Sequence, residues 1–354
     1  MNEPTITTRD DLISYLDAAM ALEHATIPPY LTAYYSIDST TNSDAAHIIR
    51  VVAVEEMLHL TLAANVLNAV GGSPDLTRPG FVPSYPAYLP DGEDDFQVGL
   101  QSLSSTAVDV FCQIERPAKA PDAGSRLLRS DPGKPMLAAS PTRHGMHFYS
   151  IGEFYEEIIA GLRRLAAADP ALFRGDPSRQ VGPEYFYSGG GAVIPVHDLE
   201  SACAALEFIA GQGEGSDKGL YDADGELAHY YRFRQLHHGR YYQRGDHPDR
   251  PSGPRLHVDW SKVRKVKVNA KLADYPAGSE LAAAAEAFNA DYGTFLALMT
   301  RAFNGEPALL VEAVWHMFRL RDGFNRLMRN PLPGGGGLHA APTFEVPVLA
   351  AVAS

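Results

Sequence analysis

Glu56-Met57-Leu58-His59 sets a carboxylate and an imidazole three residues apart inside a long apolar-periodic stretch. On a helix, residues three apart share a face, so both side chains can reach one point. One such pair is weak evidence in a chain with 43 acidic residues. It gains weight from Glu23, which precedes it on another apolar-periodic stretch, and from a second pair downstream, Glu226 and His229. Carboxylates on separate helices combined with two Glu-x-x-His pairs form the ligand set of a four-helix dimetal bundle. Carboxylate and imidazole ligands without thiolates suit Fe(II) or Mn(II). Two such ions could bind and reduce O2 or peroxide and oxidise a substrate held beside them.

Ligands of this kind must ride on helices whose apolar faces turn them inward. Thr8 and Asp11 have the spacing of an N-cap and an acid reaching back to it. From there the pattern predicts a helix over 9–36 with Leu12, Leu16, Ala19, Glu23, Ile27, Tyr30 and Tyr34 on one stripe. A carboxylate on that stripe is costly to bury unless it is paired or bound to a cation. Pro28-Pro29 is expected to kink the helix, open a bulge, or split it in two. Tyr30, two turns beyond Glu23, is the candidate catalytic residue, placed to hydrogen-bond a reacting group; filling the core is the competing role. A second helix over 43–70, capped by Asn42-Ser43-Asp44, carries Ile48, Val52, Glu56, His59 and Ala63 on one face. Glu55 points about 100° away and reads as solvated or paired. His24 and Glu55 are taken as structural. The short intervening loop makes the two helices antiparallel neighbours.

Later elements are less regular. Residues 96–100 suggest a short strand, and 104–115 a short helix bearing Val108, Phe111 and Ile114. Residues 118–146, polar and rich in Pro and Gly, read as a mobile segment or lid. A helix over 147–168 has the seam Ile151, Tyr155, Ile158, Leu162 and Leu165, with Glu153 nearly opposite. The glycine run at 189–191 lacks the Lys-Ser/Thr ending of a phosphate loop. Asp198 caps a helix to about 213, and Asp224-Gly225 starts another on which Glu226, His229, Phe233 and Leu236 share a face. The basic, alternating run 262–271 reads as a strand with a solvated face. Amphipathic helices over 279–304 and 307–330 follow. The order predicts a mainly α protein, a four-helix bundle with additional C-terminal helices and long irregular insertions. It is read as one domain over 1–354, with core helices at about 9–36, 43–70, 147–168 and 198–240.

Composition narrows the function classes. Hydrophobic residues make up 45% and charged residues 21% of 354, as in a globular chain. A formal net charge of −13 disfavours nucleic acid as a partner. Two cysteines suit a reducing compartment, with a single buried disulfide as the alternative. No signal-peptide pattern opens the chain and no apolar run is long enough for a bilayer, so a soluble cytoplasmic protein is expected.

Several stretches resemble a known family. They are Leu22-Glu23-His24-Ala25-Thr26-Ile27-Pro28-Pro29-Tyr30-Leu31, Glu55-Glu56-Met57-Leu58-His59 and Ser150-Ile151-Gly152-Glu153-Phe154-Tyr155. Gln212-Gly213-Glu214-Gly215, His229-Tyr230-Tyr231-Arg232-Phe233 and Ala341-Pro342-Thr343-Phe344-Glu345 continue the match. Together they resemble the ferritin-like family that includes the amino-terminal regions of iminophenylpyruvate dimer synthases of the violacein pathway and the chromopyrrolate synthases. The resemblance implies Glu23, Glu56, His59, Glu153 and His229 as metal ligands, with Glu214 or Glu226 as the sixth and Glu214 preferred. It implies one or two Fe ions, or Mn, and an O2- or peroxide-dependent oxidoreductase acting on an amino-acid-derived small molecule in secondary metabolism. Haem, by analogy with the longer relatives, is the weaker alternative, and the chain has no C-x-x-C-H motif. The competing reading is an iron-handling protein without a dedicated substrate, and a homo-oligomer is compatible with either. The dimer synthases are much longer, so the motifs by themselves leave open whether this chain has their imine-dimerising activity.

Overall fold

The structure, a computed structural model, describes residues 6–90, 96–117, 128–129, 146–148, 150–186, 190–215 and 219–346. Most of the segment expected to act as a lid lies outside the described residues. Helices dominate those that are described. They are α1 (Arg9–Ser36), α2 (Ser43–Ala69), α3 (Ser105–Ile114), α4 (Ile151–Ala168), α5 (Leu199–Glu214), α6 (His229–His238), α7 (Glu280–Phe303) and α8 (Leu309–Met328).

The α1/α2 pair packs against the α4/α5 pair to make the bundle. α3 and α6 pack on each other, and α6 also meets α2 and α5. The α7–α8 hairpin covers the outside, α8 against α1 and α7 against α2. This explains why the middle of α1 is buried on every side from Ala18 to Tyr30. A helix enclosed on all sides loses the polar face that an amphipathic pattern requires.

Thr8 caps α1 as expected: its hydroxyl accepts from the Asp11 N–H at 3.1 Å, and Asp11 accepts from the Thr8 N–H at 2.9 Å. The Pro28-Pro29 pair neither splits α1 nor interrupts it. Proline at 29 removes the donor that would serve the Ala25 carbonyl. The buried Tyr85 hydroxyl donates to that carbonyl at 2.8 Å instead. Asn42 does not cap α2 with its side chain, which pairs with the Asp259 backbone at 3.1 and 2.7 Å.

The outer hairpin is held by an aromatic cluster. Phe288 meets Phe324 and Phe344 edge-on at 5.0 and 5.2 Å, and Tyr35 of α1 stacks on Phe324 at 4.4 Å. Such pairs add roughly 0.5–1.5 kcal/mol each beyond area burial. Phe344 holds a φ of 52°, a left-handed conformation that costs a non-glycine residue on the order of 1–3 kcal/mol. The fully enclosed ring offsets that cost.

Three expected elements change. The 96–100 strand is a single bridge, Ala87 to Val98. The basic run 262–271 contributes only isolated bridges, Ile37 to Val263 and Val266 to His339, because it pairs in turn with the end of α1, with Leu100 and with His339, and with none of them for long enough to form a strand. The stretch 198–240 holds two helices, as expected, but the second starts at His229 rather than at Asp224-Gly225. α5 ends at Gly215 with φ 90°, and a turn closed by a Tyr221–Leu227 bridge precedes α6.

Candidate metal centre

Two groups of buried ligand atoms meet at Glu56. Glu23, Glu56 and His59 form one, and Glu56, Glu115 and His229 form the other, the atoms of each lying within 4.8 Å of one another. The residues come from four elements: Glu23 from α1, Glu56 and His59 from α2, Glu115 from the C-cap of α3, and His229 from the first position of α6. The Nδ1 atom of each imidazole faces inward. His59 Nδ1 lies 3.2 Å from Glu23 and 3.7 Å from Glu56 Oε1, and His229 Nδ1 lies 3.0 Å from the same Glu56 oxygen. The two rings are nearly parallel, 5.4 Å apart.

The carboxylates are anchored by their outer oxygens. Thr26 donates to Glu56 Oε2 at 2.9 Å, Tyr155 donates to Glu23 Oε1, and Tyr30 donates to Glu115 Oε1 at 2.5 Å. The outer nitrogens of the imidazoles are anchored too. His59 Nε2 meets Gln212 Oε1 at 2.9 Å, and His229 Nε2 meets Glu55 Oε2 at 2.9 Å. These partners make Nε2 the protonated nitrogen and leave Nδ1 as the lone-pair donor, the arrangement that orients a metal ligand.

Burial decides the electrostatics. Desolvation and the neighbouring Glu115 charge push the Glu56 carboxyl up to about 7, against the opposing pull of its contact with His229. Desolvation works against charge on both imidazoles, yet Glu23 and Glu56 raise His59, and the close carboxylates of Glu115, Glu55 and Glu56 raise His229 well above its ordinary value. Burial and the adjoining carboxylates raise the phenols of Tyr30 and Tyr155 well above the ordinary tyrosine range, so both stay protonated donors. Glu55 remains ionised. Burial opposes this, but His229, Arg232 and the Gly190 N–H hold its carboxyl down to about 2.

A cation fits this cage. Glu56 Oε1 and His229 Nδ1 are buried and lie 3.0 Å apart, yet neither is aligned for a hydrogen bond with any described group. Two orphaned lone-pair atoms aimed at common space, among three carboxylates, are costly without a proton or a metal ion to satisfy them. Oxygen and nitrogen donors with no sulfur match Fe(II) or Mn(II).

A ferritin-like family profile matches residues 16–238, which hold all five of these clustered residues. The chain belongs to the ferritin-like family. It is similar to the dichlorochromopyrrolate synthase of Lentzea aerocolonigenes, 28% identical over 399 aligned residues. That alignment covers 96% of this chain and 36% of the relative, so the chain spans about a third of that protein's length. It is also similar in fold to a crystallised ferritin-like protein from Caulobacter vibrioides, with a TM-score of 0.63 at 23% identity, covering 96% of this chain and 99% of the other.

Within this ferritin-like frame, Glu23, Glu56, His59 and His229 converge as the sequence suggested. Glu153, Glu214 and Glu226 stand outside both groups. Glu153 is half-buried in the first turn of α4, where Ser150 caps its N–H. Glu214 accepts the Gly152 N–H at 2.5 Å. Glu226 precedes α6, so the three-residue spacing to His229 does not put them on one helical face. Its side chain is 60% exposed and pairs with Arg232 at 3.4 Å. Glu115, unassigned in the sequence, is the acid that joins Glu56 and His229 in the second group. One turn after the buried Phe111, it ends an apolar stripe as a fully buried acid, a signal that periodicity could have caught. Tyr155, marked by periodicity only as core seam, also reaches the group through Glu23. Glu55, expected to be solvated or paired, is buried and paired, with His229 and with Arg232 at 2.8 Å. His24 is buried and pairs with the Tyr292 hydroxyl at 2.8 Å. Both cysteines are free thiols. No described helix is long and apolar enough to cross a membrane.

Proposed function

We propose that this chain is a metal-dependent biosynthetic enzyme, a non-haem iron oxidoreductase using O2 or peroxide on an amino-acid-derived small molecule. The observation that carries this reading is the buried Glu56 carboxylate shared between two sets of ligand atoms. Glu23, Glu56 and His59 would hold one ion, and Glu56, Glu115 and His229 the other. Iron bound there would supply reductive activation of O2 or peroxide. The protein's own residues keep water out, fix both imidazoles by their Nε2 atoms and hold the carboxylates by Thr26, Tyr30 and Tyr155. Tyr30 and Tyr155 each keep a proton on a phenol oxygen directly against a ligand carboxylate. The similarity to a synthase of a dichlorochromopyrrolate supports an amino-acid-derived substrate and a place in secondary metabolism. Packing of α7 and α8 on α1 and α2 supports one domain over the whole chain.

Anaerobic Fe(II) reconstitution followed by metal analysis tests the centre, with about two ions per chain expected from this ligand set. Retention of less than roughly a tenth of an ion would remove the dimetal reading, since a preformed site of this kind binds its metal tightly. O2 uptake triggered by aromatic 2-oxo or 2-imino acids then separates an oxidoreductase from an iron-handling protein, which would consume O2 without substrate dependence.

A further inference from the structure

The two imidazoles of the centre are backed by unlike groups. His59 Nε2 donates to the neutral carboxamide oxygen of Gln212, whereas His229 Nε2 donates to the Glu55 carboxylate. That carboxylate is itself held, by Arg232 at 2.8 Å on Oε2 and by the Gly190 N–H at 2.9 Å on Oε1. Gly190 joins the two backing groups, because its carbonyl accepts from Gln212 Nε2 at 3.1 Å. This bond sets the orientation of the amide, leaving Gln212 Oε1 to face His59. A Cβ at position 190 would lie 2.8 Å from Glu55 Oε1 and 3.4 Å from Gln212 Nε2. A glycine without any phosphate-loop context thus has a specific place here, between the two outer partners of the metal-facing histidines.

We propose that the two metal positions are inequivalent and fill in order, the Glu115/His229 position first, with Glu55 and Gln212 as the positioning residues that set the difference. This rests on the dimetal reading above. A carboxylate behind an imidazole N–H makes the opposite nitrogen a stronger donor than a carboxamide does, and removing such a partner typically changes metal affinity 10- to 100-fold. The Glu115/His229 set therefore gains from Glu55 what the Glu23/His59 set lacks.

Anaerobic calorimetric titration of the metal-free full-length protein with Co(II), followed in parallel by absorbance, reads this directly. Wild type should show two steps separated by roughly tenfold or more in affinity. Glu115→Gln should remove the tighter step and Glu23→Gln the weaker one. Glu55→Gln should weaken the tighter step roughly 10- to 100-fold, and Gln212→Glu should tighten the weaker one by a similar factor. Gly190→Ala should weaken the tighter step in the same direction as Glu55→Gln. Hyperfine-shifted proton spectra of the Co(II) protein add a readout that loose folding would not produce: Glu55→Gln should move the exchangeable Nε2–H signal of one bound histidine and leave the other. Two ions binding with equal affinity, or steps untouched by both Glu55→Gln and Gln212→Glu, would overturn the ordering while leaving the dimetal reading intact. Absence of any Co(II) binding to wild type would overturn the dimetal reading and the ordering with it.

Discussion

Glu56 shows at the scale of one residue why the centre calls for a cation. One oxygen is satisfied by Thr26, and the other faces both imidazoles without a hydrogen-bond donor. Without metal, protons balance the buried charge, which is why Glu56 sits near 7 and both histidines are raised. A metal ion must displace those protons. Affinity for Fe(II) or Mn(II) should therefore fall as the pH drops below about 7, where Glu56 becomes protonated. Calorimetry in buffers of differing ionisation enthalpy should register proton release on binding at pH 6.5, and a pH-independent affinity between 5.5 and 8 would contradict this. Substitution separates ligands from bystanders. Glu226→Gln, at an exposed carboxylate, should leave metal content unchanged, as should Glu153→Gln; loss of an ion would reinstate Glu226 as the spacing suggested it, or Glu153 as the resemblance implied it.

Elements place these residues through details of their ends and interruptions. α6 begins at His229, so its first residue enters the cage while Glu226 remains outside. α1 continues through two prolines, with Tyr85 supplying the donor that Ala25 lacks. Tyr85→Phe leaves that carbonyl buried and unserved, which should destabilise the fold by about 1–3 kcal/mol in urea unfolding. At the other end of α1, Thr8→Ala removes the capping hydroxyl and should cost about 1 kcal/mol by the same measurement. Neither variant touches a ligand atom, so Co(II) stoichiometry should survive both.

The whole molecule encloses the centre by wrapping α1 on both faces, with the bundle inside and the α7–α8 hairpin outside. Phe324 is fully buried at the hinge of the aromatic cluster that fastens the hairpin. Phe324→Ala should lower stability by about 3–5 kcal/mol through the cavity it leaves. Thermal unfolding should also respond to metal, since an ion at 100 times its Kd adds about 2.7 kcal/mol to the native state. A metal-independent Tm would show that binding and folding are uncoupled.

The helical frame was legible because it is local. The Thr8 cap, the stripes of α1 and α2 and the Glu56/His59 spacing depend on residues within a few turns, and a helix turns such spacing into a shared face. Glu23 was legible for the same reason, as an acid on an apolar stripe. The opposite half of the centre depends on where chain segments distant in sequence end. Glu115 closes a short helix, His229 opens another, and Glu55 becomes buried only when α6 and the Gly190 segment pack over α2. No periodicity encodes those meetings. Tertiary packing alone left Glu226 outside both groups, brought the buried end of the α3 stripe, Glu115, against His229, and set a carboxylate behind one histidine beside Glu56 and a carboxamide behind the other.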